Sequence, residues 1–418
     1  MRAQTGQRRP RGRRGWVPVV FSAVTGFVGV TALFSGCGAV AGPTAVERDS
    51  AGIRIVENPA ALAARPLWTV AAEPAVEIGL LEGDEAYQLS RVQSAVRLSD
   101  GRIVIANGGT QNLRFFDATG AHVRSVGREG EGPGEFRQLG PVTVLPGDSL
   151  AAYDWNLRRV SYFGPDGAFV RSVNLEFPTG FPTPVGRFSD GAWLCVRGFT
   201  FSPGGDGSQI VRDTVPLLVF EPTGALRDSI VRMPAPEFYV RTSGRSAFAR
   251  SLPFGRTTEA AISGDRFFAG HSERYEIARY SAAGRPDLIL RLDRPPTPIA
   301  PAELQRYKAE ELEDADATFR QETARNLEEM PYPATYPAFA DVLVDRAGQL
   351  WVLDYPRPGN DERRWVVYTP DGLALGTVTT PPAVRVLEVG GDYLLGVWQD
   401  ELDVEYVRLY RLDRAERR

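Results

Sequence analysis

Lysine is almost missing from this chain: Lys308 is the only one among 48 basic residues, and the rest are arginine. Beyond a cluster near the start the arginines are dispersed, and the formal net charge is -4. A nucleic-acid partner normally needs a basic face, so that class is excluded. Histidine is scarce too. His122 and His271 lie far apart with no ligand spacing around them, which argues against a zinc site. The two cysteines, Cys37 and Cys195, rule out a disulfide framework. Cys195 sits in the apolar run GAWLCVRG and reads as a buried, inert thiol. Neither G-x-x-x-x-G-K-[ST] nor G-x-S-x-G occurs, so a P-loop and a hydrolase nucleophile elbow are absent. Turn formers are abundant: 43 Gly and 32 Pro among 418 residues, beside 43% hydrophobic residues, describe a large globular chain with many tight turns.

Arg8, Arg9, Arg11, Arg13 and Arg14 precede a mostly apolar run, Trp16 to Phe34, and then LFSGC ending at Cys37. Positive, apolar and small-residue regions in that order are the parts of an export signal. Pro18, Ser22, Thr25, Gly26 and Gly29 weaken any reading of the run as a membrane span. Residues 34–37 resemble the lipobox of bacterial lipoproteins, with Phe34 where leucine is usual. Arg13 to Val17 also looks partly like a twin-arginine signal. The lipobox resemblance implies a signal peptide over 1–36, a lipid on Cys37, a linker to residue 52, and a membrane partner reached through that lipid. Gly38, in place of the aspartate that retains lipoproteins at the inner membrane, points to the outer membrane, facing the periplasm or the cell surface.

From residue 96 the sequence repeats a grammar of apolar run, tight turn, apolar run, polar break, apolar run, tight turn. The first turn of each unit is SDG at 99–101, PGD at 146–148, SDG at 189–191, SGD at 263–265, DRAG at 345–348 and GGD at 390–392. The second is DATG at 117–120, GPDG at 164–167, EPTG at 221–224, SAAG at 281–284 and TPDG at 369–372. Glycine beside Asp or Asn supplies the positive φ expected of two-residue hairpins, and the intervening runs have strand length and chemistry. The spacing of about 46 residues suits a four-stranded blade. The expected fold is all-β: a six-bladed β-propeller over 53–418, built of four-stranded antiparallel blades. The last unit is one strand short, and WTVAAEPAVEIG at 68–79 is free to complete it and close the ring.

GREGEGPGEF (127–136), DGAFVRSV (166–173) and YDWNLRRVSYFGPDG (153–167) resemble the bacterial six-bladed propellers of the NHL-repeat type, in the wider TolB-like superfamily. The likeness spans about residues 68–412 and implies a fold without implying one activity. The glycine-rich stretch 127–136 invites a phosphate-cradle reading. Glu129, Glu131 and Glu135 would repel a phosphate and no helix opens after it, so its glycines are read as backbone freedom at a unit junction.

Departures from the repeat are where function is expected. Residues 197–214 lengthen a loop of the third unit, and residues 300–341 separate the fourth from the fifth. Pro301 and the spacing Leu304, Tyr307, Leu312, Ala315, Phe319 predict an amphipathic helical insertion over 300–339, stopped by Pro331, Pro333 and Pro337. The residue closing the second strand of each unit is Asn107, Asp154, Arg197, His271, Asp354 and Trp398 in turn. Six-fold arrangement would gather these as a ring at one channel mouth. Asn107, Asp154 and Asp354 also suit a plain turn-capping role. Trp155, Tyr275, Tyr332, Tyr336 and Tyr355 offer aromatic contacts. The leading expectation is a non-catalytic module, tethered at the envelope, that binds a protein, peptide or carbohydrate and needs no cofactor. The rival is a hydrolase or lyase using Ca²⁺ or Mg²⁺ held by Asp154 and Asp354. Such a site would resemble that of the metal-dependent lactonase propellers, whose carboxylate and amide set has no residue-by-residue match here.

Overall fold

The computed structural model describes residues 44–415 apart from 178–181, 198–206 and 244–245. The predicted signal peptide and Cys37 lie outside the described residues. No helix among those described is long and apolar enough to cross a membrane.

Each repeat folds as a meander because its turns stop one strand and reverse the next. The turns are longer than the two-residue loops expected: Asp117 and Ala121 pair across the three residues 118–120, with Gly120 donating back to the Asp117 carbonyl at 3.0 Å. This is the three-residue turn whose last position takes the left-handed conformation, which is why glycine recurs there. The first sheet runs from Val92–Arg97 to His122–Val126 and the second from Leu139–Val144 to Phe169–Asn174. The third spans Pro182–Arg187 to Leu226–Pro234, the fourth Thr258–Ser263 to Pro286–Asp293, and the fifth Asp341–Val344 to Ala374–Thr380. In the sixth, Arg385–Val389, Tyr393–Gln399 and Glu405–Asp413 come from the repeat, and Thr69–Val70 and Val76–Ile78 pair antiparallel with its last strand.

Burial follows from this order. Alternate residues of each sheet face the next sheet, and the core divides into clusters between neighbours. Phe115, Phe136 and Phe163 fill the space between sheets one and two, Phe188 and Phe267 that between three and four, and Trp351 and Trp365 that between five and six. Another cluster, including Ile78, Ile105, Phe116 and Leu395, packs sheet six against sheet one. The second-turn glycines complete these contacts. Gly120, Gly167, Gly224, Gly284 and Gly372 lie against the outer strand of the preceding sheet, Gly120 meeting Val76 and Ile78.

Three further features differ from the sequence expectation. Residues 46–52, read as linker, include the strand Val46–Ser50, which pairs with Ile53–Pro59. Ile53–Pro59 adds in parallel to the outer strand Pro286–Asp293 of sheet four. The buried Asn58 then joins sheets four and five: its amide donates to the carbonyls of Gly372 (2.9 Å) and Arg291 (3.2 Å) and accepts from the Ala374 amide (2.8 Å). Second, part of the 197–214 departure is the strand Gly207–Val211, which joins Phe238–Ser243 and Ser246–Ser251 in a separate three-stranded sheet. Third, the insertion forms two helices rather than one. Pro301–Glu313 starts with Pro301, and the Glu303 carboxylate accepts the Ala300 amide at 2.9 Å. Arg320–Glu329 stops before Pro331. Phe319 lies between them and is 60% exposed, so it is not on the apolar face its spacing suggested. Tyr239, Leu252 and Met330 form a small core that ties the satellite sheet to the second helix.

Residues 127–136 fold as a loop that supplies its own anion. The Glu135 carboxylate turns back to accept the Gly132 amide at 2.8 Å and the Arg128 guanidinium at 2.7 Å. These bonds hold it below the usual carboxylate range, the Gly132 amide most. It covers Gly130 so closely that a Cβ there would lie 2.1 Å from Oε2. The loop's carbonyls face Arg159, which donates to Glu131 (2.8 Å), Gly132 (3.2 Å) and Glu135 (2.6 Å). Arg114 does the same at the previous junction, donating to Glu85, Ala86 and Gln88. Each loop receives a buried guanidinium rather than a phosphate. Arg159→Met leaves those carbonyls without their donor. The expected cost is about 3 kcal/mol, with faster amide exchange confined to 128–138. Urea denaturation and hydrogen exchange read both, and an unchanged midpoint would overturn this role.

Candidate functional site: a cleft between sheets four and five

The six residues expected to form a ring do different jobs. Asn107 is fully buried, accepting the Ser90 amide at 2.9 Å and donating to Thr110 Oγ1 at 2.7 Å. Asp154, equally buried, accepts the amides of Arg137 (2.7 Å), Gln138 (3.2 Å) and Leu157 (2.8 Å). Both residues hold the chain entering their own sheet and present no surface to a ligand. Trp398 lies under the Arg408 guanidinium, 3.6 Å from its ring, and packs on Tyr406. Arg197 sits half-buried at its strand end, opposite Pro182.

His271 is 11% exposed, with Nδ1 3.8 Å from Glu273. Burial, followed by the nearby Arg212 charge, pushes its pKa below the ordinary value. Arg212 bridges Glu237 (3.4 Å) and Glu273 (3.5 Å) beside it. Asp354 caps no turn; it accepts Arg294 Nη1 at 2.6 Å. Among the described residues no group of three or more His, Cys, Asp or Glu side chains is placed to hold a metal ion.

Of the six, only Asp354 lines a cleft of about 870 Å³ between sheets four and five. Its walls come from Thr44, Val46 and residues 57–59, the loop 273–276 of sheet four, the chain at 291–297, residues 336–338 and the loop 354–364 of sheet five. Tyr275, Tyr336 and Tyr355 line it, whereas Trp155 and Tyr332 do not. Trp155 stands edge-on to Tyr153, and Tyr332 packs with Tyr307 and donates its hydroxyl to the Leu327 carbonyl.

The floor is an ion pair covered by rings: the Arg294 guanidinium lies 5.3 Å from the Tyr275 ring while it binds Asp354. Arg291 is held by Glu276 (2.6 Å) and Glu57 (3.3 Å). The rim carries Arg274, Arg357 and Arg364. Behind the wall stands Phe254, 5% exposed, with φ 56°. Its ring meets those of Tyr307 (4.9 Å), Tyr336 (5.3 Å) and Tyr355 (6.4 Å). A bulky side chain in the left-handed region is held there by its surroundings, and such strain gathers at functional sites.

A second polar group lies on the first strands, where neighbouring sheets contact one another. Burial, and then the Asp341 charge, raises Glu259 to about 8. Burial raises Asp341 to about 6. Arg385 donates to the Val92 carbonyl at 2.8 Å, and Glu388 binds Arg346 at 2.9 Å and the Tyr393 hydroxyl. None of these was singled out from the sequence; their signal was a charged residue at an inner-strand position.

A family model described as a 6-bladed beta-propeller matches residues 78–189. Among solved structures the chain is similar to a Bacteroides fragilis protein assigned as exported, at 15% identity over 87% of this chain and 100% of that one, with a TM-score of 0.49. It is also similar to a streptogramin B lyase (10% identity, 84% and 98% covered, TM-score 0.38) and to a gluconolactonase from Xanthomonas campestris (13% identity, 83% and 99% covered, TM-score 0.38). Among curated proteins nothing matches. The successive four-stranded sheets, the cores between them and the family match together identify the fold as a six-bladed β-propeller.

Proposed function

We propose that this chain is an exported, envelope-tethered β-propeller of the NHL-repeat type, acting as a non-catalytic binding module whose ligand sits in the cleft between sheets four and five. The observation that carries this reading is the wall of Tyr336 and Tyr355 braced by the strained Phe254, beside rim arginines that take part in no ion pair among those found in the described residues. Rigid rings and oriented polar groups around a preformed cavity are what a ligand site needs. A screen of carbohydrates, peptides and small carboxylates by thermal shift tests it. Ligands that stabilise the wild type should lose at least tenfold in affinity with Arg364→Glu, and NMR should show them unaltered after incubation. Equal binding by the variant would sink the site, and conversion of the ligand would sink the non-catalytic reading.

The tether rests on the export signal and Cys37. Cys37→Ser should move the protein from the membrane fraction to the soluble one; unchanged fractionation would remove the lipid anchor.

A catalytic reading draws support elsewhere, from the neighbouring carboxyls of Glu259 and Asp341, whose raised pKa values are the kind that acid–base sites display. A ligand converted by the wild type but not by Glu259→Gln would favour it.

A further inference from the structure

The cleft has a second bay. A cavity of about 790 Å³ lies between the hairpin residues 250–254, the helix Pro301–Glu313 and the loop 355–363. Tyr355, Arg357 and Asn360 line both this cavity and the larger cleft, so one short segment divides two adjoining bays. Each bay falls within the size range, about 300–1,000 Å³, that holds a drug-sized ligand. Together they suit a ligand longer than a single small molecule.

The chemistry of the walls narrows its class. Across the two bays the lining holds seven arginines and eight Asp or Glu residues. Such a balance gives no net field to select a polyanion, and a lining this charged is a poor host for a lipid. It supplies fixed donors and fixed acceptors in nearly equal number, the combination that satisfies hydroxyl groups, each of which both donates and accepts. Partly exposed rings accompany these groups in both bays, Tyr355 in the first and Tyr307 in the second, backed by the buried rings of Tyr336 and Phe254. Tyr336 and Tyr355 are tilted by only 30°, and Phe254 lies within 6.4 Å of each of the other three rings. Rings of this kind take the apolar C–H face of a pyranose while the arginines and carboxylates take its edge. An extended peptide would also seek apolar side-chain pockets, and beside the edge strand Val46–Ser50 the bays offer mainly loops, helix surface and charge.

From these features we infer that the two bays form one groove for a neutral oligosaccharide, with several sugar units lying across Tyr355. The inference rests on the cleft being a ligand site, as proposed above, and adds the class of ligand and the second bay.

The test is calorimetric titration of the full chain with glucose, the β-1,4- and α-1,4-linked glucose trimers and hexamers, and hexagalacturonate. At least one neutral hexamer should bind ten times more tightly than its trimer. Arg363→Ala, in the second bay, should erase that advantage and leave trimer binding unchanged, while Arg364→Ala, in the first, should weaken both. Circular dichroism checks that the variants are folded. Equal affinity for trimer and hexamer would confine the ligand to one bay and overturn this inference while leaving the binding reading intact. Tighter binding of hexagalacturonate than of every neutral hexamer would overturn the neutral class. Failure of every saccharide, together with an Arg364-sensitive ligand from the wider screen, would overturn the inference alone; failure of both would remove the cleft as a site.

Discussion

Replacing Gly224 by alanine is expected to cost at least about 4 kcal/mol, whereas the same change at Gly147 should cost about 1 kcal/mol. Both glycines lie in a turn between strands, Gly224 at its end and Gly147 in its middle, and both have positive φ, +92° and +72°. A methyl group pays the same backbone penalty at either place. The difference is what the methyl meets. At Gly147 nothing lies within 4 Å of the added Cβ. At Gly224 it would stand 1.9 Å from the Asn174 carbonyl oxygen and 2.6 Å from Val173 Cγ1. That carbonyl belongs to the outer strand of sheet two, and the Glu176 amide next along donates to the Gly224 carbonyl at 2.8 Å. Relief therefore requires moving one sheet away from its neighbour, and the loss spreads into the core holding Leu218, Phe220 and Leu175. Thermal or urea unfolding of the two variants compares them directly. Equal losses would mean that the second-turn glycines serve turn geometry alone and do not set the spacing between sheets.

That comparison also explains why the fold could be read so far from the sequence. The second-turn glycines recur because two requirements, positive φ and close approach of the next sheet, fall on one residue, so the repeat is visible as text. What the sequence hid lies where partners are remote or the repeat lapses. Ile53–Pro59 pairs with Pro286–Asp293, more than two hundred residues away, and no local pattern announces a parallel strand added at an edge. The satellite strands Phe238–Ser243 and Ser246–Ser251 lie outside the repeat grammar. Two members of the expected ring are unavailable to a ligand for a related reason. Equivalent positions in a repeat first do equivalent structural work, as Asn107 and Asp154 do in holding the chain that enters their sheets. The cleft is instead assembled from departures: the Pro-rich connector before Phe339, the loop after Asp354 and the added N-terminal strands. Tyr336 and Tyr355 were legible as aromatic residues beside such departures. Phe254 was not, because nothing in SLPFG marks the positive φ that places its ring.

The second large effect concerns Glu259, and its sign follows from the direction in which burial moves its pKa. Its carboxyl, on the first strand of sheet four, is raised from 4.5 to about 8, chiefly by burial and then by the Asp341 charge, while Thr257 hydrogen-bonds to it and pulls the other way. Below pH 4.5 the folded and unfolded chains both hold this proton, and its stabilising contribution is fully present. Between 4.5 and about 8 the unfolded chain releases the proton and the folded chain keeps it, so stability falls as pH rises. Above 8 both forms are ionised and the fall ends. Each tenfold gain in proton affinity on folding is worth about 1.4 kcal/mol, and with water reaching the group the total is expected to be about 3 kcal/mol. Asp341, raised from 3.8 to about 6, adds a fall of the same sign at lower pH. His271 works in the opposite sense: its lowered pKa stabilises the fold above 6.5, and that contribution is lost as pH falls through the folded value. Subtracting the profile of a Glu259→Gln variant from that of the wild type cancels the histidine. The variant keeps the neutral shape of the protonated acid and has no proton to lose. At pH 4 the two proteins should unfold at the same urea concentration, and by pH 8 the variant should be the more stable by those few kcal/mol, with the gap opening between pH 5 and 8. Parallel profiles would show that Glu259 is solvated and ionised like a surface carboxylate. It would then fail as the proton-holding member of a pair with Asp341, and the catalytic reading would lose its support.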